Sequence, residues 1–243
     1  MKALTALLQF TTILPLGEPA DFEAFARKSW MYPIAGYVTG ALCMIPGLLA
    51  WFFGFDNSML VAAVTLALAI FITGANHFDG LLDFGDGLMA HGGREKRIRA
   101  MTDRTTGAGA LALGIFVVLI SFAALSQMPP IFIAISILCA EVCGKMSMGL
   151  SSALGKPFHE GIQKFIYDNS KRRYWIYTIL LACPLIFFGK FGIAAILCGI
   201  AVFFIMWLAA RRLFGGSNGD VTGATCELTK MMVFVLICIL LSV

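Results

Sequence analysis

Long apolar runs separated by short polar segments dominate the sequence. Ser58–Phe78 and Gly107–Gln127 contain no Asp, Glu, Lys or Arg, and about twenty apolar residues at ~1.5 Å rise cross the hydrocarbon core of a bilayer. The pattern predicts an all-α fold, a polytopic membrane bundle of about six to seven transmembrane helices in a single domain, residues 1–243. The predicted spans are Ser29–Phe55, Ser58–Phe78, Gly107–Gln127, Ile131–Leu154, Tyr174–Phe188, Phe191–Ala210 and Val221–Val243.

The segment before the first span has a different pattern. Leu4, Leu7 and Leu8 follow helical spacing, while Thr5 and Gln9 lie on another face. The run is too short and too mixed to cross a bilayer. We expect a short helix that lies in the membrane interface or enters the bundle re-entrantly.

Composition and charge agree with a membrane protein. Apolar residues make up 59% of the chain, charged residues only 13%, and the mean hydropathy is +0.87, whereas a soluble domain has about a quarter of its residues charged. The net charge of +4 lies in short loops, which disfavours a nucleic-acid partner and leaves membrane lipid. The sequence leaves the number of subunits open, and an oligomer is compatible with it.

Lys and Arg occur in alternate loops. Those around Arg94–Arg104 and Lys156–Arg173 are rich in them, whereas Phe55–Asn57 and Gln127–Pro130 have none. Because Lys and Arg are retained on the cytoplasmic side, the basic loops are expected to face the cytoplasm. Within the spans, Glu141 and Lys145 lie four residues apart and are expected to neutralise each other.

Aligned carboxylates stand at the end of the second apolar run. Asp79, Asp83 and Asp86 are spaced by four and three, which puts them within about 60° of arc on one helical face. Three such anions repel one another, and a divalent cation removes the conflict. An oxygen-only donor set without cysteine favours Mg²⁺, or Mn²⁺ as a substitute. The alternative is a solvated loop of mixed charge.

The residues after this cluster suit an anionic substrate. Arg94, Arg97 and Arg104 form a basic run, and Asp103 offers a fourth carboxylate ligand. A metal, a basic rim and glycines that permit close approach are the equipment of phosphoryl transfer. His77 is a candidate base or phosphate contact, with a packing role as the alternative. We expect a catalytic cytoplasmic loop at about residues 77–107.

At these residues the chain resembles the cobalamin synthase family, adenosylcobinamide-GDP ribazoletransferases. Four motifs carry the resemblance in the family's order, although Lys230 stands where the family has an acidic residue. They are "LLQFTTILPL" at Leu7–Leu16, "HFDGLLDFGDG" at His77–Gly87, "MTDRTTGAGA" at Met101–Ala110 and "GGSNGDVTGATCELTK" at Gly215–Lys230.

The resemblance implies a Mg²⁺-dependent enzyme in the prokaryotic plasma (inner) membrane, with its active site facing the cytoplasm. It would join adenosylcobinamide-GDP to α-ribazole, or its 5′-phosphate, and release GMP. The aspartates would hold Mg²⁺ on the diphosphate, and Asp83, Asp86 or His77 would act as the base. The last motif would contribute to substrate binding through Asn218, Asp220 and Glu227.

Other classes of protein remain as alternatives. "DFGDGLMAH" at Asp83–His91 fits the first half of the CDP-alcohol phosphotransferase motif. The second half of that motif is missing, because no acid follows in the helix from Gly107 until Glu141. A cation-coupled transporter would need acids on several helices at membrane depth, whereas this sequence concentrates its acids on the cytoplasmic side.

Overall fold

The computed structural model of the chain describes residues 2–242, and these residues are mostly helical with no β-strand among them. The predicted all-α fold is confirmed. Two 3₁₀ helices, Ser29–Met31 and Cys183–Phe188, extend neighbouring helices. The α-helices are α1 (Lys2–Thr11), α2 (Phe22–Ala26), α3 (Tyr32–Cys43), α4 (Ile45–Phe52), α5 (Ser58–Ile72), α6 (Asn76–Met89), α7 (Arg94–Met101), α8 (Ala108–Ser126), α9 (Pro130–Leu154), α10 (Ile162–Asn169), α11 (Tyr174–Ala182), α12 (Lys190–Leu213) and α13 (Gly219–Ser242).

Helices suited to a bilayer account for most of the predicted spans. Within residues 2–242, five stretches are long and apolar enough to cross a membrane, and a sixth exists if α5 and α6 count as one bent span. The five are Ser29–Phe52, Ala108–Ser126, Pro130–Leu154, Lys190–Leu213 and Gly219–Ser242. The predicted end of the last span, Val243, lies outside the described residues. The polytopic helical bundle is therefore confirmed.

Two predicted spans differ in form from the prediction. Tyr174–Phe188 is a shorter apolar element, because α11 gives way at Cys183 to a 3₁₀ helix that contains Pro184. Proline lacks the N–H that an α-helix needs in its interior. The other span, Ser58–Phe78, breaks into α5 and α6, which meet at an angle of 91°.

The bend between α5 and α6 is caused by left-handed backbone. Gly74 has φ +60° and Ala75 has φ +58°, a region that an L-residue with a β-carbon rarely adopts. The N-terminal segment also binds here, since the backbone N–H of Ile13 donates to the carbonyl of Ile72 at 2.9 Å. The bend carries α6 against α8 and α13. Most of the expected catalytic loop, residues 77–107, is therefore helical, as α6 and α7.

Helix α9 is the centre of the bundle. It packs against α3, α13, α12, α11 and α4, and most of its residues are buried. Glycines permit the close approach: a β-carbon on Gly36 would lie 2.6 Å from the carbonyl oxygen of Glu141. Small residues at such crossings let helices pack without the hydrophobic driving force that water supplies.

The predicted short N-terminal helix is α1. Ala6 and Leu7 on α1 are buried with Phe25 of α2 and Tyr32 of α3. This apolar cluster attaches the N-terminal segment to the bundle. Its position relative to a bilayer stays a prediction.

Replacing Gly36 by alanine should destabilise the bundle. The new methyl group would meet the α9 backbone at 2.6 Å, and overpacking of this kind costs about 1–3 kcal/mol. Thermal unfolding in detergent measures the loss. The control is Gly93→Ala, where the same methyl meets nothing within 4 Å and φ is −74°. Equal stability of the two variants would contradict the tight α3–α9 crossing.

Candidate active site

A cleft of about 530 Å³ opens where α6, the α7–α8 connection, α10 and α13 meet. Of the residues predicted for a site, it brings together Asp79, Asp83, Asp103, Arg104, Asn218 and Asp220. The cleft is lined by Asp79, Asp83, Met101, Thr102, Asp103, Arg104, Thr106, His159, Gly161, Ile162, Gln163, Lys164, Asn218, Gly219 and Asp220.

One wall of the cleft is acidic. Asp79 and Asp83 lie one turn apart on α6, and Asp220 lies in the first turn of α13. The two helices cross closely because Gly80 has no side chain, and a β-carbon there would lie 3.0 Å from the α-carbon of Asp220. Asp220 and Asp79 both lie close enough to Asp83 for their charges to repel it. Among the described residues, no Lys or Arg pairs with these three carboxylates.

This donor set fits a hard divalent cation. Three carboxylates without a cationic partner stand at one wall, and Mg²⁺ binds few carboxylates together with water and phosphate oxygens. In the described part of the chain, these aspartates do not place three ligand atoms within 4.8 Å of one another. They therefore suit an ion that shares its coordination shell with substrate and water more than a closed protein cage.

Asp86 has a different environment from the other α6 aspartates. Its Oδ2 accepts a hydrogen bond from the Gly107 backbone N–H at 2.8 Å, and its Oδ1 accepts one from the Ala110 N–H at 2.9 Å. These bonds cap the N-terminus of α8. Asp86 does not line the cleft. Its predicted metal and catalytic roles are untested, and the structure gives it a structural one.

The connection between α7 and α8 supplies charge of both signs. Asp103 Oδ1 accepts hydrogen bonds from the Thr105 hydroxyl at 2.6 Å and the Thr105 N–H at 2.9 Å. The Thr105 hydroxyl, and secondarily its N–H, lowers the pKa of Asp103. Arg104 lines the cleft and has no carboxylate partner among the described residues. Its guanidinium group is therefore available to a bound anion.

The other arginines of the predicted basic rim lie outside the cleft. Arg97 Nη1 donates to the carbonyls of Gly87 at 3.1 Å and Leu88 at 2.5 Å, at the end of α6. The guanidinium group of Arg94 packs on Gly215, where a β-carbon would meet Nη1 at 2.7 Å. The structure thus gives Arg97 hydrogen bonds to the end of α6 and Arg94 a contact with Gly215, and their contact with substrate stays a prediction.

Asn218 forms hydrogen bonds with the first turn of α13. Its Oδ1 accepts from the Val221 backbone N–H at 2.9 Å, and its Nδ2 donates to Asp220 Oδ2 at 2.7 Å. The first bond is an N-cap, and the second orients the Asp220 carboxylate in the cleft wall. The helix begins at Gly219, two residues before the predicted span that starts at Val221.

Sequence reasoning missed His159 and Gln163, which lie in the wall formed by the start of α10. Two backbone hydrogen bonds place this segment: Ser217 N–H donates to the Lys156 carbonyl at 2.9 Å, and Phe158 N–H donates to the Ser217 carbonyl at 3.2 Å. Only the Lys and Arg content of this loop was used for prediction. The sequence signal was a histidine followed by Gly161 ahead of a short amphipathic helix.

Two other predicted site residues, His77 and Glu227, belong to a buried ionic cluster. Lys230 Nζ lies 2.6 Å from Glu227 Oε1 and 3.1 Å from Glu141 Oε1. Lys145 Nζ lies 3.7 Å from Glu141 Oε2 and 3.5 Å from His77 Nδ1. The predicted Glu141–Lys145 pair is confirmed, but Lys230 and Glu227 extend it across α9 and α13. The buried cluster therefore holds one more acid and one more lysine than the predicted pair.

His77, Cys226 and Glu227 hold ligand atoms within 4.8 Å of one another. Lys230 pairs with Glu227, and Lys145 lies beside His77 and Cys226. Because these two lysines already lie beside the group, binding of a metal cation there is disfavoured. This trio is part of the ionic cluster, and neither His77 nor Glu227 lines the cleft.

Comparison with known proteins decides the family. The sequence profile described as cobalamin-5-phosphate synthase matches residues 3–238. The chain belongs to this family. It is similar to adenosylcobinamide-GDP ribazoletransferases of Methanococcoides burtonii (31% identity, 100% of this chain and 93% of the relative), Methanocella arvoryzae (33%, 95% and 93%) and Pyrococcus furiosus (32%, 92% and 94%). No solved structure matches the chain.

The predicted family is confirmed, and with it a transferase of cobalamin biosynthesis. The assignment favours this class of enzyme over a CDP-alcohol phosphotransferase or a cation-coupled transporter. The site roles of individual residues stay predictions.

Asparagine substitutions should separate the aspartates of α6. Asp79→Asn and Asp83→Asn should each lower turnover by about 100-fold or more, and the double variant should lose little further, because the two act as a unit. Asp86→Asn should instead lower the free energy of unfolding by about 0.5–2 kcal/mol through a weakened cap. Steady-state kinetics and thermal unfolding measure the two effects, with the exposed, distant Asp56→Asn as control. A stable, inactive Asp86→Asn would return Asp86 to the catalytic set.

Lys230→Met should destabilise the bundle by about 3–5 kcal/mol, because Glu227 would lose the lysine with which it pairs and Glu141 would keep, within residues 2–242, only its contact with Lys145. Adding Glu227→Gln restores charge balance and should recover more than half of the loss. Thermal unfolding in detergent measures both. Lys96→Met, at an exposed position, is the control. Equal stability of the single and double variants would mean that charge balance is not what the cluster provides.

Proposed function

We propose that the chain is an adenosylcobinamide-GDP ribazoletransferase that uses Mg²⁺, with Mn²⁺ as a substitute. It joins adenosylcobinamide-GDP to α-ribazole, or to α-ribazole 5′-phosphate, and releases GMP together with adenosylcobalamin or its 5′-phosphate. The observation that carries the proposal is the cleft, which is lined both by Arg104 and by a wall of carboxylates that have no Lys or Arg partner among the described residues. The names of the relatives supply the substrates.

The acidic wall supports the metal requirement. Asp79, Asp83 and Asp220 would hold Mg²⁺, with Asp103 beside them in the same cleft. Bound Mg²⁺ would neutralise charge on the diphosphate of the corrinoid substrate. Carboxylates that repel one another are relieved by that charge, which is why we favour a metal over protonation.

The reaction requires a hydroxyl group, a phosphorus atom and a leaving group in line. A ribazole hydroxyl oxygen attacks the phosphorus that carries the aminopropanol arm of the corrinoid. The new P–O bond forms as the P–O bond to GMP breaks, and GMP leaves with the bond's electron pair. Among the predicted bases, Asp83 is the best supported to accept the hydroxyl proton, through a carboxylate oxygen that the metal leaves unused, because it lines the cleft.

Arg104 is suited to the departing phosphate. It lines the cleft without a carboxylate partner among the described residues, and a guanidinium group binds phosphate through paired N–H donors. Charge that develops on GMP would be stabilised there. His77 and Glu227 would act only through the ionic cluster, which is separate from the cleft.

The location follows from the loops that form the cleft. Arg104 and Lys164 belong to the basic loops, which the positive-inside rule places on the cytoplasmic side. We therefore propose a multi-pass protein of the prokaryotic plasma membrane whose cleft opens to the cytoplasm, with membrane lipid around the bundle and with oligomers allowed.

Release of GMP tests the reaction. Detergent-purified protein given adenosylcobinamide-GDP and α-ribazole should form GMP and a completed cobalamin in equal amounts with Mg²⁺, more slowly or equally with Mn²⁺, and not with EDTA. Parallel assays with α-ribazole 5′-phosphate compare the two acceptors. Failure to release GMP, combined with release of CMP from a CDP-alcohol lipid, would overturn the proposal.

A further inference from the structure

We propose that the N-terminus of α10, together with the side chain of Gln163, is a phosphate-binding subsite in the cleft. The ligand is a phosphate monoester, and this inference rests on the proposed function for its two possible sources. They are the phosphate of the departing nucleotide and the 5′-phosphate of a phosphorylated acceptor.

The first observation is an open helix N-terminus. Gly161, at the N-cap of α10, has no side chain to satisfy the first N–H groups, and no cap hydrogen bond is present. Gly161, Ile162, Gln163 and Lys164 all line the cleft. The first turn of a helix has unpaired N–H groups and a partial positive charge, which together favour an anion.

Two other helices, α8 and α13, begin at or beside the cleft, and N–H groups at their starts already donate to protein side chains. Both carboxylate oxygens of Asp86 accept from the start of α8, and Asn218 Oδ1 accepts from the start of α13. Asp220 adds a negative charge at the second of these ends. An anion is therefore excluded from the α8 and α13 ends and directed to α10.

The second, independent observation is the Gln163 side chain. Gln163 lines the cleft and is only 4% exposed, yet its Nε2 has no hydrogen-bond partner. A buried polar group without a partner costs about 1–3 kcal/mol. If the amide were flipped, its oxygen would occupy the same position and would also lack a partner. In the orientation observed, a ligand that accepts a hydrogen bond would satisfy Nε2.

The side chains around the start of α10 carry charge of both signs. His159 Nδ1 donates to the carbonyl of Glu160, and within residues 2–242 its Nε2 makes no hydrogen bond. Lys164 Nζ pairs with Asp168 at 2.5 Å and with Glu160 at 3.8 Å. The bond to Asp168 raises the pKa of Lys164, which keeps this cation charged at the rim.

The subsite and the carboxylates occupy different walls of the cleft. It belongs to the α10 wall, whereas the carboxylates belong to the α6 and α13 wall of the same cleft. His159 lies close enough to Asp220 for their charges to interact, so the two walls are neighbours. A substrate whose phosphate binds at α10 would have its remaining atoms next to the acidic wall, and the phosphate itself would leave that wall open.

The test measures binding without turnover. Detergent-purified protein in EDTA is titrated by calorimetry with inorganic phosphate, with GMP beside guanosine, and with α-ribazole 5′-phosphate beside α-ribazole. Gln163→Leu should weaken the phosphate-bearing ligand about tenfold and leave its phosphate-free partner unchanged. A loss for GMP identifies the departing nucleotide, and a loss for α-ribazole 5′-phosphate identifies the acceptor.

Two further variants serve as a second test and as a control. Gln163→Glu keeps the size of the side chain and adds a negative charge, so it should weaken phosphate binding more than Gln163→Leu does, even if the apolar variant folds poorly. Asn169→Leu, at the other end of α10 and outside the cleft, should bind all probes as the unchanged protein does. Thermal unfolding checks that each variant is folded.

Two results would overturn the subsite. One is unchanged binding of every phosphate-bearing probe in both Gln163 variants. The other is an equal loss for guanosine or α-ribazole, which would place Gln163 against another part of the substrate. Because the titrations need no turnover, Gln163-dependent phosphate binding by a protein that releases no GMP would retain the subsite and reject the proposed reaction.

Discussion

The left-handed turn at Gly74 and Ala75 is the constraint on which the cleft depends. Without it, α5 would continue in a straight line and carry Asp79 and Asp83 away from α13. The turn places α6 across the beginnings of α8 and α13, where Gly80 and Gly85 permit backbone contact with Asp220 and Gly109. Irregular backbone of this kind is tolerated within a bilayer only where protein surrounds the backbone or where the backbone lines a water-filled cavity.

Helix ends determine how charge is distributed around the cleft. The N-terminus of α8 is occupied by Asp86, so one aspartate of the α6 motif serves the fold while Asp79 and Asp83 line the cleft. This division leaves the acidic wall on α6 and α13 and the electropositive end on α10. The same physical property, unpaired N–H groups at a helix start, therefore serves structure at two ends and suits ligand binding at the third.

The sequence predicted what periodicity and composition control and failed where folding brings distant residues together. Hydrophobic runs predicted the membrane helices, and spacing put Asp79, Asp83 and Asp86 on one helix. Periodicity carries no information on a 91° bend, because left-handed backbone at Ala75 is an unusual choice for that residue. The separation of Asp86 from its neighbours depends on a bond to Gly107, 21 positions away, and Gln163 becomes notable only through its burial.

The buried ionic cluster has a consequence for the synthesis of the protein. Glu141 and Lys145 reach the membrane with α9, but Lys230 and Glu227 arrive with α13, the last helix of the described chain. Until then Glu141 has Lys145 as its partner within the same helix, so α9 can insert as a neutral pair. Insertion of α13 then completes the charge balance and attaches the C-terminal helix to the centre of the bundle. Insertion of α13 thus includes an electrostatic step, and a chain halted before α13 would hold its central helix without that attachment.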